Sequence, residues 1–253
     1  MNTAPRRPRR RVWLVWAGAL LLLLAAGLCA LWYWGLWVPN EPSHSQYPVR
    51  GVDVSAWQGE IDWEVLAGQG LRFAFLKATE GSSFTDARFA QNWPAAQAAG
   101  FAAGAYHFFS YDSPGEAQAE HFIATVPIEA DALPPVIDLE FYGSYDRRPP
   151  DPEPVRRELG RLIERLEEHY GRPPILYATC RAYELYLAGY FEGCPIWIRQ
   201  VYAAPRLSDQ RAPVFWQYSD RCRLPGYEGD EGRIDLNVFC GSEAEFEAFW
   251  HPA

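Results

Sequence analysis

From Val49 onward the chain alternates short β-type runs with helical ones. RGVDVS precedes IDWEVLAGQG, FAFLKATEG precedes ARFAQNWPAAQAAG, and AAGAYHFF precedes PGEAQAEHFIATV. PPVIDLEF is followed by PVRRELGRLIERLEEHYG, and PPILYATC by RAYELYLAGYF. The rhythm then changes. PIWIRQVY, VFWQYSD and RIDLNVF read as strands with little helix between them, and SEAEFEAFW as a closing helix. The firmest helix starts at Asp151-Pro152 and stops at Gly171, with Val155, Leu159, Leu162, Ile163, Leu166 and Tyr170 on one face. Repeated strand–helix units predict a parallel sheet with right-handed crossovers, and eight strands suffice to close a barrel. The expected fold class is α/β: a modified β/α barrel of five βα units plus three further strands, over residues 49–253.

Ahead of the barrel the pattern is different. Residues 12–38 run 27 positions without a charge, where about 20 span a bilayer core. Trp13, Trp16, Trp32, Tyr33, Trp34 and Trp37 lie toward its ends, and five arginines fall between Arg6 and Arg11. This predicts a single N-terminal transmembrane helix, with residues 1–11 a cytoplasmic basic tail and the barrel outside the cytoplasm, in periplasm or cell wall. A cleaved signal peptide is the rival reading; the run is long for one, and Leu28-Cys29-Ala30 is a poor cleavage site. Residues 39–48, PNEPSHSQYP, read as a short stalk.

Charge and cysteine content sharpen the picture. The formal net charge of −9 is split between an N-terminal stretch with five arginines and no acid, and a remainder with 18 basic and 32 acidic residues, or −14. So acidic a body argues against nucleic acid as partner and leaves a sugar polymer open. Cys180, Cys194, Cys222 and Cys240 lie outside the apolar run. An even count in an oxidising compartment predicts disulfides, 180–194 and 222–240 being the sequence-local pairing and four buried thiols the alternative.

Two-fold alternation then places the polar residues. Asp53 and Ser55 oppose Val52 and Val54, and Lys77 and Thr79 oppose Leu76 and Ala78. His107 opposes Tyr106 and Phe108; Tyr177 and Thr179 oppose Leu176 and Ala178. Gln217 and Ser219 oppose Trp216 and Tyr218, while Asp235 and Asn237 oppose Ile234, Leu236 and Val238. The polar faces converge on the C-terminal ends of the strands, where barrel enzymes hold their sites. In VIDLEF, Asp138 and Glu140 share one face with Cα atoms about 6.5–7 Å apart by strand rise. Folding alone gives little reason to set two like charges there.

Together with Asp53 and Asp235, this pair suits cleavage of a glycosidic bond, in which one carboxylic acid protonates the leaving oxygen and another carboxylate meets the opposite charge. Nearby anions in a partly dry pocket raise the proton affinity of the acid. Tyr177 and Trp197 are expected in the site and Tyr106 and Trp216 against the helices. Gln217 is a candidate substrate contact, Lys77 a buried counter-charge, and His107 either a substrate contact or a satisfied interior histidine. GxSxG, P-loop and HExxH motifs are absent, as is GxGxxG in a strand–helix setting, and no Cys/His spacing suits zinc. A divalent cation on the four carboxylates is the rival use; the glycosidase reading requires neither metal nor cofactor.

The strings GVDVSAWQGEIDW, FLKATEG, GAYHFF, VIDLE, and WQYS followed by GRIDLNVF resemble glycoside hydrolase family 25, the Chalaropsis-type lysozymes, in order and spacing from about Val49 to Phe239. The resemblance implies a barrel with five βα units and three further strands. It implies hydrolysis of the β-1,4 bond between N-acetylmuramic acid and N-acetylglucosamine in peptidoglycan glycan strands. By matching motif, Glu140 would be the proton donor, Asp138 would assist the substrate's N-acetyl group, and Asp53 and Asp235 would be the other acidic site residues. Glu80 also matches a site position, although plain alternation puts it on the Ala78 side, so it must lie beyond the strand end. The loop FYGSYDRRPPDPEP departs from the pattern and is expected to shape one wall. A glycosidase acting on another N-acetylated glycan, or a non-catalytic wall-binding barrel, would share much of this pattern.

Overall fold

The computed structural model describes residues 9–229 and 232–252. In chain order the strands are β1 (Arg50–Val54), β2 (Leu71–Glu80), β3 (Phe84–Thr85), β4 (Ala102–Phe108), β5 (Val136–Leu139), β6 (Ile175–Thr179), β7 (Ile196–Arg199), β8 (Phe215–Cys222) and β9 (Ile234–Phe239). The helices are α1 (Arg9–Tyr33), α2 (Trp63–Ala67), α3 (Phe89–Ala98), α4 (Gly115–Thr125), α5 (Pro152–Tyr170), α6 (Cys180–Ala182) with a π-helical turn Tyr183–Leu187, and α7 (Glu243–Trp250). Five βα units and three further strands are therefore present as expected. The sheet closes because β1 pairs with both β2 and β9, giving an eight-stranded barrel to which β3 adds a two-residue edge.

Barrel neighbours from β1 through β8 are parallel, the edge strand β3 alone being antiparallel to β2, whereas β9 is antiparallel to both β8 and β1. This reversal matters for the site. On the parallel strands the polar residues fall late, but on β9 Asp235 falls early; running backwards brings it to the same mouth. Phe239 then lies at the far end, where Phe246 of α7 packs beside it with ring centroids 5.3 Å apart.

Two layers of apolar side chains hold the barrel. Inside, Phe73, Phe75, Val136, Ile175, Trp197, Phe215 and Phe239 form one buried cluster. Outside, Val52, Leu76, Ile137, Leu176, Ile198 and Val238 meet helix residues such as Phe122, Leu159, Leu162 and Leu166. Helix α5 begins with proline at its first turn and ends at Gly171 in the left-handed conformation, φ 70°, the asymmetry that suits these residues. The interior is tight enough to require glycine. A Cβ on Gly104 would sit 2.5 Å from the Phe75 ring, and Phe75 is itself stacked on Trp197 at 4.5 Å.

The expected disulfides are absent: all five cysteines are free thiols. Strand register is the reason. Cys222 pairs with Ile234 at one end of the β8–β9 ladder, whereas Cys240 lies beyond the Phe215–Phe239 pair at the other. Cys180 follows the C-terminal end of β6 and Cys194 precedes the N-terminal end of β7, which run parallel. Each sequence-local pair is thus separated by nearly the height of the barrel, and a disulfide tolerates at most about 7 Å between Cα atoms.

Helix α1 contains Val12–Tyr33, 22 residues long and apolar enough to cross a membrane, with its leucines exposed. Residues 39–48 are not slack. Pro42 is buried, Tyr47 packs edge-on against Trp216 at 5.8 Å, and Arg50 bonds Glu41 at 3.4 Å.

Replacing Gly104 with alanine should cost about 1–3 kcal/mol, the usual range for overpacking a rigid core. Urea unfolding of the variant beside wild type measures it; an unchanged midpoint would show that Phe75 has room to yield.

Candidate active site

Asp53 and Asp235 are direct cross-strand partners on β1 and β9, an arrangement that like charges disfavour. Amides hold them in place. Gln217 of β8 donates from Nε2 to Asp53 Oδ2 at 2.8 Å and to Asp235 Oδ2 at 3.1 Å. Asn237 donates from Nδ2 to the same Asp53 oxygen at 2.7 Å, and its Oδ1 accepts the Trp197 indole N–H at 2.8 Å. The Tyr177 hydroxyl donates to Gln217 Oε1 at 2.9 Å and stands 3.4 Å from Glu140 Oε1. One network thus links β1, β6, β7, β8 and β9 to the residue after β5.

Of these side chains, Asp53, Asp235, Tyr177, Trp197 and Glu140 line a pocket of about 160 Å³. Asp53, Asp138, Glu140 and Asp235 lie in its wall with Lys77, Tyr106, Phe108, Tyr177, Trp197, Ser55 and Trp57. A larger cavity of about 360 Å³ includes Val126–Pro135, Tyr170 and His251 and none of the four carboxylates. The smaller pocket, not the larger one, holds the four carboxylates.

Burial raises the proton affinity of all four acids. For Asp138 burial comes first and the charge of Glu140 second, with Lys77 opposing. Asp235 is raised by burial and then by Asp53. Burial also raises Asp53, against the hydrogen bonds from Asn237 and Gln217. Glu140 is raised by burial against the attraction of Arg199, which ends β7 and pairs with Asp220 of β8. Asp138 Oδ1 is buried without a hydrogen-bond partner among the described residues, and an unpaired buried carboxylate oxygen favours the neutral acid. All four acids of the mouth thus have a higher proton affinity than an exposed carboxylate.

Three sequence expectations change at this point. His107 does not face the mouth. It is fully buried on the helix side of β4, its Nδ1 2.7 Å from Thr79 Oγ1 and its Nε2 3.0 Å from Gln118 Oε1 of α4. Burial lowers its pKa to about 4, so it is a neutral core histidine and not a substrate contact. Tyr106, expected against the helices, lines the pocket instead. The polar residue of AYHFF marked the outer face here because α4 supplies it a polar partner. Glu80 does reach the rim, by a different route than lying beyond the strand. A bulge between Lys77 and Thr79 pairs Thr79 with His107 and Glu80 with Phe108, which turns Thr79 outward and Glu80 inward. There Glu80 takes the Lys77 ammonium at 2.7 Å.

Tyr177, Trp197 and Gln217 all point into the barrel as expected, but each is nearly fully buried and spends its polar atom on the carboxylate network. Trp216 packs outward, its indole N–H donating to Gln200 O at 2.8 Å. Asn237, expected on the polar face but without a role, bonds Asp53, and Arg199 and Asp220 join the site unexpected. Asn237 was legible from its two-residue spacing after Asp235, and Arg199 from the same spacing after Trp197. Among the described residues, no His, Cys, Asp or Glu side chains group closely enough to hold a metal ion.

Residues 52–227 match the sequence profile of glycosyl hydrolases family 25. The chain is 33% identical over 217 residues to "Lysozyme M1" of Streptomyces globisporus, covering 79% of this chain and 70% of that protein. It is 36% identical over 210 residues to the uncharacterized protein YegX of Escherichia coli K12, covering 81% and 74%. A family 25 glycosyl hydrolase structure from Bacillus anthracis superposes with a TM-score of 0.78 at 52% identity, over 82% of this chain and 96% of that one. The bacterial lysozyme of Streptomyces coelicolor gives 0.73 at 32% identity, over 80% and 97%. The chain belongs to glycosyl hydrolases family 25 and is a glycoside hydrolase of the lysozyme type.

A carboxylate whose proton affinity rises on folding stabilises the native state below its unfolded pKa, about 3.9 for Asp, and that contribution is lost as pH rises through the folded value. Asp235→Asn removes the loss. Its Tm at pH 7 should exceed that of wild type by about 2–4 °C, and the gap should close toward pH 4. Thermal melts across that range check the sign; a variant less stable at pH 7 would show that Asp235 is held as a favourable anion.

Proposed function

We propose that this chain is a muramidase that cleaves the β-1,4 bond between N-acetylmuramic acid and N-acetylglucosamine in peptidoglycan. The observation that carries this is Asp138 and Glu140, adjacent on one face, raised in proton affinity and opening into a pocket floored by aromatic rings. Glu140 in its acid form protonates the departing glycosidic oxygen. Asp138 holds the N–H of the substrate's 2-acetamido group while the acetamido oxygen attacks C1, so that configuration is retained over two displacements. Glu140, now a base, then activates the water that opens the intermediate. Asp53 and Asp235, bridged by Gln217, keep the floor polar and negative beneath the positive charge that develops at the sugar ring. Trp197 and Tyr177 support that floor, and Glu80, paired with Lys77, borders it. The names of the lysozyme relatives support the muramic acid side of the bond.

Residues 12–38 we read as a membrane anchor, with the N-terminus cytoplasmic and the barrel facing the wall. The length and exposure of α1 support this, as does the arginine-rich stretch that precedes the apolar run.

Purified peptidoglycan digested by wild type and by Glu140→Gln, then reduced with borohydride, tests the function. Mass spectrometry should find reduced muramic acid ends from wild type, and the variant should lose about 10²–10⁴-fold in kcat. Reduced glucosamine ends would place the cut at the other bond. Turnover of chitin but not peptidoglycan would give a different glycan, and binding without new ends from folded wild type would make this a wall-binding barrel.

A further inference from the structure

The end of α1 is docked on the barrel, and the place where it docks is the rim of the mouth. Arg221 and Arg223 lie at and just past the C-terminal end of β8, and Arg233 just precedes β9. Each guanidinium covers an aromatic ring at the close of the apolar run: Arg221 over Trp32 at 4.5 Å, Arg223 over Trp34 at 5.8 Å, Arg233 over Tyr33 at 5.6 Å. Such contacts fall within the range of cation–π attraction and strengthen where water is excluded. Arg233 also donates to the Tyr33 carbonyl at 3.4 Å.

Packing is close enough to demand a glycine. Gly35 is buried and has φ 69°, and a Cβ on it would lie 1.8 Å from the Arg221 carbonyl oxygen. From there the chain runs down the outside of the barrel, with Asn40 bonded to the Gln200 carbonyl at 3.4 Å and Tyr47 on Trp216. It enters β1 at the end opposite the mouth. Trp34, Leu36 and Trp37 remain 54%, 68% and 42% exposed, and indole rings such as those of Trp34 and Trp37 belong at the headgroup level of a bilayer.

The catalytic groups are close by. Asp235 is two positions from Arg233, about 7 Å along the strand. Asp220 pairs with Arg199 and is bonded in sequence to Arg221, the residue on Trp32.

Building on the reading of α1 as a membrane anchor, we infer that the anchor is a rigid mount that holds the β8–β9 rim of the mouth against the bilayer. The enzyme so mounted works on glycan lying next to the membrane, not on strands at the end of a flexible tether.

Full-length protein in vesicles of phosphatidylethanolamine and phosphatidylglycerol with a rhodamine-labelled headgroup tests this. A fluorescent amino acid replaces Glu228, exposed on the rim loop, or Glu129, exposed at the opposite end. Energy transfer should be roughly twofold or more higher from position 228 than from position 129, for ends about 25 Å apart by strand rise. Replacing Arg221, Arg223 and Arg233 with glutamine should erase the difference while turnover of soluble peptidoglycan fragments persists. Equal transfer from both positions in wild type, or more from position 129, overturns the inference. So does a difference that survives the triple replacement. Turnover in the same samples reports the muramidase reading separately from the transfer.

Discussion

Everything in this barrel is arranged around four carboxylates crowded into one poorly solvated mouth. Such a cluster opposes folding, because burial and mutual repulsion both disfavour the charged forms. It persists because hydrogen bonds hold some of the groups and burial raises the proton affinity of all four. Asp53 accepts amide N–H bonds from Gln217 and Asn237, and Asp235 accepts a further one from Gln217, while Asp138 has one oxygen without a partner among the described residues. The crowding is also what gives the site its chemistry. On the proposed function, an acid of raised proton affinity in this pocket donates its proton to the glycosidic oxygen.

The remainder of the fold makes that crowding tolerable. Below the acids the barrel is filled by interlocked rings, with Phe75 on Trp197 at 4.5 Å and Phe73 on Phe215 at 5.0 Å. Trp197 joins the two halves: its ring packs into the apolar layer and its N–H fixes Asn237, which fixes Asp53. Reversal of β9 brings Asp235 and Asn237 to the mouth without another crossover helix. The same β8–β9 edge carries the arginines that hold the end of α1, so Asp235 and the attachment point share one structural element.

Alternation along strands made most of this legible before any coordinates. It placed Asp53, Asp138, Tyr177, Gln217 and Asp235 inside the barrel, and each is there. It failed where local geometry broke its premise. At AYHFF the rule equated the polar residue with the pocket, but Gln118 on α4 gave His107 a partner outside, and Tyr106 turned inward. Glu80 needed a bulge that no two-fold pattern can encode. Cysteine spacing misled because nearness in sequence is not nearness in space: each local pair spans opposite ends of neighbouring strands. Residues 39–48 look like a polar linker because their anchoring groups, Arg50, Trp216 and Gln200, lie in or beyond the first strand.

Protonation of Glu140 at working pH is the claim on which the rest of the chemistry stands. Carboxyl carbon NMR of protein labelled at glutamate side chains, with Glu140→Gln to assign the signal, measures it directly. The account predicts that Glu140 titrates clearly above the ordinary glutamate value, about 4.3, and that its signal still shows the protonated form at pH values where exposed glutamates are fully ionised. A Glu140 signal that titrates with the surface glutamates would contradict it.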